Sequence, residues 1–378
     1  MSLPVLHVCI ATGQNAANLI PLEQYDAREV WILQTPAMRQ SATNLEMALR
    51  REGRTVLRID FDDRSPVTMT QAATAIAERL DGRHVVLHVT GGTKLMVLAL
   101  RDGLRYVEAG DGRLEIVYAD TARQQIDWLG AEARTDAMSD QLDLRQMLLV
   151  QGYRIDGDSR HAAAQQRSAA RAQITRDMGD NAARYGRFFS SLAVLASRAA
   201  ESGQERDLTQ HFHYPPGGQS AQLMRLAHDK GLLSWDGEET ITFADRAAAQ
   251  YFAGGWLEEF VLLKLTGGLL KPGRFSSNLR VLSSDKNVPN EIDAMVVHRN
   301  RALLIECKTG QQGKAQEAIY KLSQLRQMLG GSVASALYVS AQPVGEEVLK
   351  RAAEYRIDVL CGDDVGRFVP WLRDWMAR

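Results

Sequence analysis

Asn290-Glu291-Ile292-Asp293, followed downstream by Glu306-Cys307-Lys308, supplies acids and an ammonium of the kind that can work on a phosphodiester. From Glu291 to Val297 the chain is rich in apolar and β-branched residues, His298 to Arg301 is polar, and Ala302 to Lys308 is apolar again, which predicts two strands and a turn. Side chains alternate faces along a strand, so Glu291 and Asp293 share one face, Glu306 and Lys308 share one face of the next strand, and Cys307 points into the core. Hard carboxylate oxygens hold Mg²⁺ or Mn²⁺, and such a metal polarises both water and phosphate. Lys308 can position the water or offset charge on the phosphorane. Asp, Glu and Lys are also common on solvated strand faces. Here, however, they end the apolar run Ala302-Leu303-Leu304, which reads as a buried central strand, and a charge there needs a partner or a metal.

The elements around this pair are legible too. Lys314 to Leu329 carries apolar residues at Ala318, Ile319, Leu322, Leu325 and Leu329, a helical spacing that Gly330-Gly331 ends. Val333 to Val339 reads as a strand, Glu346 to Tyr355 as a helix and Ile357 to Leu360 as a last strand. Lys321 and Gln324 could face the acids from their helix, although a solvated helix face explains them as well.

An acid on one strand, Glu-X-Lys on the next and a further Glu on a preceding helix resembles the PD-(D/E)XK restriction-endonuclease-like nucleases. Asp293 matches the first acid, Glu306 and Lys308 the Glu-X-Lys, and Gly255 to Val261 the helical acid, with Glu258 as first choice and Glu259 as second. Pro289 stands four residues before Asp293, so the first position departs from the pattern. The resemblance implies an αβββαβ core followed by αβ. It also implies Glu258, Asp293, Glu306 and the Cys307 backbone carbonyl as metal ligands, with Lys308 orienting the attacking water.

At the other end of the chain, Val5 to Ile10 reads as a strand running into the small polar loop Thr12-Gly13-Gln14-Asn15-Ala16-Ala17-Asn18. A second strand, Glu29 to Leu33, ends at Thr35-Pro36; Met38 to Gly53 is helical and Thr55 to Ile59 a third strand. Val85 to Val89 then leads into Thr90-Gly91-Gly92-Thr93-Lys94 and a helix from Leu95 to Leu104. Glycines let the backbone approach a phosphate, threonine hydroxyls and N–H groups donate to it, and a helix start adds partial positive charge. The loop is neither a Walker A loop nor a G-x-G-x-x-G fingerprint. Taken alone, a Gly-Gly loop is more often a turn than a site.

Two such loops at strand ends of one α/β unit resemble the CARF domain, the CRISPR-associated Rossmann-like fold whose dimer binds cyclic oligoadenylate. The Thr12-Gly13-Gln14-Asn15 loop matches its first ligand loop and Thr90-Gly91-Gly92-Thr93-Lys94 its second, with Asn18 and Thr35 as further candidate ligand-binding residues. A CARF domain joined to a PD-(D/E)XK nuclease resembles the CRISPR ancillary nucleases of the Card and Can type. That family implies a homodimer activated by cyclic tetra-adenylate in type III CRISPR antiviral defence, hydrolysing DNA and RNA with Mn²⁺ or Mg²⁺. A ligand-responsive nucleic-acid-binding regulator with an inactive nuclease fold is the alternative; the intact acid set weighs against it. Degradation of the ring by Thr93 or Lys94 is a further option for which no general base is marked.

The chain of 378 residues suits an α/β architecture of three parts: 1–150 as the Rossmann-like CARF domain, 151–250 as a connector and 251–378 as the nuclease domain. Residues 156–180 are rich in Ala, Arg, Gln and Ser, which predicts an exposed helix or mobile connection. Helices at 188–200 and 220–230, then a hairpin around Asp236-Gly237, predict a small winged-helix-like module acting as a spacer. His211 and His213 have no neighbouring Cys or acid in a zinc pattern. Three cysteines (Cys9, Cys307, Cys361) and no long apolar run predict a reduced, cytoplasmic protein with no membrane partner. A net charge of −1 makes any nucleic-acid surface local, with Arg274, Arg280, Lys286, Lys308 and Lys314 as its candidates.

Overall fold

The computed structural model describes residues 5–80, 82–109, 113–130, 133–157, 159–202, 204–284, 288–309 and 315–378. Its first half is an α/β unit with β1 (Leu6–Ile10), α1 (Ala16–Gln24), β2 (Glu29–Gln34), α2 (Arg39–Arg51), β3 (Thr55–Asp60) and α3 (Pro66–Glu78). It continues with β4 (His84–His88), α4 (Lys94–Ala109), β5 (Arg113–Asp120), β6 (Gln125–Leu129) and β7 (Arg134–Ala137). The sheet runs β3-β2-β1-β4-β5-β6-β7, parallel through β5 and antiparallel beyond it. Strand order reverses between β1 and β4, which is where open α/β sheets leave a crevice at their carboxyl ends. Both polar loops follow those two strands. The sequence reading did not mark α3 or β5 to β7; α3 is announced by Ser65, whose side chain accepts from the Thr68 N–H in a capping box with Pro66 just after it.

The chain then crosses through α5 (Leu144–Val150) and β8 (Tyr153–Ile155) into helices α6 (Ser159–Ala170), α7 (Ala172–Asp180) and α8 (Ala182–Glu201). Next come β9 (Thr209–His211), α9 (Gly218–Asp229), β10 (Leu233–Trp235), β11 (Thr240–Phe243) and α10 (Arg246–Gln250). Strands β10, β11 and β9 form a small antiparallel sheet, with the expected hairpin at Asp236-Gly237.

The remaining elements are α11 (Trp256–Leu265), β12 (Phe275–Ser283), β13 (Pro289–His298), β14 (Arg301–Lys308), α12 (Ala315–Leu329), β15 (Ala334–Ser340), α13 (Glu346–Glu354), β16 (Ile357–Cys361) and α14 (Phe368–Ala377). The sheet order β16-β15-β14-β13-β12-β8 places β14 in the interior, as its apolar run requires. Arg299 (φ +50°) and Asn300 (φ +57°) make the left-handed two-residue turn that suits the twist of the β13–β14 hairpin.

One apolar core runs from Leu19, Leu45 and Leu148 across to Met295, Leu304 and Ile319, so the two α/β units share buried surface through α5. A second core joins Ile174, Met178 and Phe189 to Phe260, Leu303 and Trp375. The 156–180 stretch is therefore not an exposed connection throughout. Its small residues allow close packing: Gly179 lies against Phe260, and an added Cβ would come within 2.1 Å of the ring. No helix among the described residues is long and apolar enough to cross a membrane. Because the Gly179 to Phe260 approach leaves no space, Gly179→Ala should destabilise the protein by about 1–3 kcal/mol through overpacking. Chemical unfolding of the variant with no loss of stability would show that α7 and α11 are less tightly apposed.

Candidate functional site

Three carboxylates converge electrostatically on one ammonium where α11, β13 and β14 meet. Lys308 Nζ lies 2.5 Å from Glu306 Oε1 and 3.6 Å from Asp293 Oδ2, and donates to the Cys307 carbonyl at 3.1 Å. Asp293 Oδ2 also accepts the Cys307 N–H at 2.7 Å. Glu306 is 3% exposed, so its charge has left water and depends on Lys308. The Cys307 side chain faces the opposite core, as alternation along β14 demands.

Burial, reinforced by Asp293 with Glu306 and Glu259, pushes the Glu258 carboxyl up to about 8, against the opposing pull of Lys308. Burial and then Glu306 raise Asp293, while Lys308, the Cys307 N–H and Lys321 work in the other direction. Burial works against the Lys308 ammonium, yet Asp293 and Glu306 outweigh it and hold its pKa above the ordinary value. Glu259 has a different environment. It pairs with Arg171 at 3.0 Å, and its raised pKa comes from burial opposed by Arg171 and Arg167. Glu258, not Glu259, thus shares the field of Asp293 and Glu306. Lys321 and Gln324 are exposed on α12, and only Lys321 figures in the field at Asp293.

The backbone explains this convergence. Thr309 at the end of β14 donates to the Ala253 carbonyl at 3.1 Å, pinning that strand to a widened π-type turn, Tyr251–Gly255, directly before α11. On β12, Asn278 has φ +51° and occupies the position opposite Asp293, between the pairs Ser277 with Ala294 and Leu279 with Ile292. The strands change sides here: Phe275 packs on the second core, whereas Leu279 and Val281 belong to the first.

The oxygen donors of Glu258, Asp293 and Glu306 suit Mg²⁺ or Mn²⁺, and a divalent cation would offset their mutual repulsion. Among the described residues, no three His, Cys, Asp or Glu side chains are already gathered at metal-binding distances. Lys308 holds the acids in balance in this arrangement. Of the proposed basic patch, Arg274 is instead bound to Asp140 at 2.8 Å and to the Asp140 carbonyl at 2.9 Å. Lys286 and Lys314 lie outside the described residues.

In the first unit, Thr12, Gln14, Asn18, Thr90 and Gly91 line a cavity of about 240 Å³ together with Tyr118, Asp120 and Thr121. The last three escaped the sequence reading because they sit on β5 and its turn, outside any glycine-rich loop. Gly91 touches the first loop so closely that an added Cβ would lie 2.3 Å from the Ile10 carbonyl oxygen and 2.4 Å from Thr12. Thr90 Oγ1 accepts the Ala119 N–H at 2.8 Å, fixing β5 to the second loop. Asn15 holds the first loop by accepting the Thr12 N–H at 3.0 Å and donating to the Ser41 carbonyl at 2.8 Å. Asn18 donates to the Ile10 carbonyl at 2.8 Å, while its buried Oδ1 has no hydrogen-bond partner among the described residues. Gly13, Asn15, Gly92, Thr93 and Lys94 lie outside the cavity wall, and Thr35 is buried at the end of β2.

The Glu258 shift has a consequence for stability. Its neutral form is favoured by folding, so that contribution is fully present below the ordinary value of 4.5 and is lost as pH rises through about 8. Thermal unfolding of the metal-free protein should show a midpoint that falls between pH 5 and 8.5, and Glu258→Gln should flatten the fall. Mn²⁺ should raise the midpoint more at the higher pH. An unaltered profile in Glu258→Gln would refute the shared field.

Residues 6–146 match the family model of the Card1 CARF domain, and residues 245–378 that of the Card1-like endonuclease domain. No curated protein matches the chain. Can2 from Sulfobacillus thermosulfidooxidans, solved in complex with cyclic tetra-adenylate, is similar with a TM-score of 0.80 at 22% identity, covering 98% of this chain and 99% of that one. Protein VC1899 from Vibrio cholerae gives 0.82 at 20% identity, covering 99% and 98%. A type III CRISPR defence DNA nuclease activated by cyclic oligoadenylate gives 0.58 at 18% identity; all of this chain spans 53% of that one. At these identities the structures show a common fold. The two family matches, one on each α/β unit, identify a Card1 CARF domain and a Card1-like endonuclease domain joined in one chain.

Proposed function

We propose that this protein is a metal-dependent endonuclease of type III CRISPR defence, switched on by a cyclic oligoadenylate, cyclic tetra-adenylate in particular. The observation that carries the nuclease half is the grouping of Glu258, Asp293 and Glu306 around Lys308. Glu258, Asp293, Glu306 and the Cys307 carbonyl would hold Mn²⁺ or Mg²⁺, which would supply a polarised water and a Lewis acid for the phosphate. Lys308, already fixed by Glu306 and the Cys307 carbonyl, orients the attacking water and offsets charge on the phosphate. DNA, and RNA as a second substrate, are hydrolysed.

The ring sits over the cavity at the β1 and β4 loops. Asn18 Oδ1 is a desolvated acceptor awaiting a donor, which an adenine amino or ribose hydroxyl group provides. Thr12, Gln14, Thr90 and Gly91 line that cavity with Tyr118, and Gly13, Asn15, Thr35, Gly92, Thr93 and Lys94 belong to the surrounding ligand site in this reading. A homodimer places a symmetric ring on its two-fold axis. Leu95 and Leu98, 54% and 53% exposed on α4 directly after Lys94, supply apolar surface for that contact. Residues 1–150 form the ligand-binding domain and 251–378 the nuclease domain, with 151–250 bracing the latter. The protein works in the cytoplasm.

Cleavage of plasmid and single-stranded substrates in Mn²⁺, with and without cyclic tetra-adenylate, tests this reading. Activity should require both the ring and Glu306, and Glu306→Ala should abolish it, a loss of at least about 100-fold if metal placement fails. Ring binding without cleavage in any divalent metal would turn the reading toward a ligand-gated nucleic-acid-binding protein.

A further inference from the structure

Two cavities meet on β12 beside the carboxylates. One, of about 610 Å³, is walled by Arg145, Phe275 and Arg280; the other, of about 360 Å³, by Arg167, Arg171 and Glu258. Ser277 and Asn278 belong to both walls, so the two form one groove whose midpoint is the left-handed residue opposite Asp293. By the usual size of binding clefts, each half has room for a ligand of about one or two nucleotides.

Arginines stand at both ends. Arg167 is exposed on α6, and Arg280 is half-buried on β12 with Asp156 at 3.2 Å. Arg171 lies 4.6 Å from the centre of the Tyr251 ring and is held by Glu259. That pairing gives the second acid of α11 a task apart from the metal: it sets the Arg171 guanidinium in the wall next to Glu258. The acids lining the groove are Glu258, Glu259 and Asp143, of which Glu259 is paired with Arg171 and Asp143 caps α5, while Asp156 pairs with Arg280 beside the wall.

Asn278 is the informative residue. A left-handed backbone is strained for most side chains and tolerated by Asn, and strand interiors rarely contain it. Here it is exposed, lines the same cavity as Glu258 and belongs to the wall of both basic halves.

We propose that this groove carries the substrate strand across β12, with Arg280 and Arg167 holding backbone phosphates on opposite sides of the scissile bond and Asn278 positioning the phosphate between them. The proposal rests on the nuclease reading and adds residues to it. It predicts that contacts on β12 and α6 govern substrate affinity, whereas Asn278 governs turnover.

The test uses the full-length protein with cyclic tetra-adenylate, and labelled DNA as a single strand and as a duplex. In a Glu306→Ala background, Arg167→Gln and Arg280→Gln should each weaken DNA binding and lower the slope of log affinity against log salt by about 1. Ring binding should be unchanged. In the active protein the same substitutions should raise KM with little change in kcat. Asn278→Gly, which keeps the backbone conformation, should lower kcat with affinity retained. Arg167 is exposed, so its variant remains informative if Arg280→Gln impairs folding. Unchanged affinity and salt slope in Arg167→Gln, with Glu306-dependent cleavage intact, would overturn the groove and leave the nuclease standing. Absence of ring-dependent cleavage in the parent protein would overturn the nuclease reading itself.

Discussion

Placing three acids in a largely dry pocket around a single lysine is the constraint on which the rest of the structure depends. Uncompensated buried charge costs several kcal/mol per ion even after relaxation. Lys308 reaches Glu306 and Asp293, and the Cys307 N–H takes part of the Asp293 charge, while burial and these two acids favour the protonated form of Glu258, up to about pH 8. Such a cluster persists only if its backbone cannot move apart. That is supplied by the position of β14 inside the sheet, by the bond from Thr309 to the Ala253 carbonyl, and by α7 packed on α11 at Gly179.

The same hairpin is tied to the first α/β unit. Asn300, 1% exposed, donates to the Ser139 carbonyl at 2.7 Å and accepts the N–H groups of Gln141 and Leu142, both at 2.9 Å. Arg274 completes the clamp through Asp140. Arg274, one of the candidate basic residues, is thereby engaged in holding the two units together. At a second point the Gln14 side chain rests on Gly331, where an added Cβ would lie 1.9 Å from Oε1. One cavity residue thus touches the turn ahead of β15, the strand paired with β14.

Much of this was legible because local chemistry and tertiary role agree. The β13–β14 pair, the helix with apolar residues from Ala318 to Leu329 and both polar loops carry their periodicity openly. The choice between Glu258 and Glu259 was not legible, since adjacent acids on a helix differ only in what the fold brings to each: Asp293 and Glu306 to one, Arg171 to the other. Residues 172–180 looked solvent-facing because their contribution to the core is made by small residues and by Ile174 and Met178 alone. Asn278 was invisible for a related reason. Its left-handed backbone reverses the alternation from which strand faces are read, and nothing in Ser276-Ser277-Asn278-Leu279 announces the reversal.

The shared core limits how a ligand in the cavity at the β1 and β4 loops could act. Leu148 and Met147 of α5 are buried in one apolar cluster with Leu45 on one side and Met295 on the other. Opening a hinge between the units would expose that surface at about 25 cal/mol for each Å². A ligand can supply only its difference in affinity between two states. Small displacements at the Gln14 to Gly331 and Asn300 contacts leave the core intact. These are the motions compatible with a site whose acids are held in balance by Lys308, because gathering them around a metal requires side-chain shifts and not a new fold.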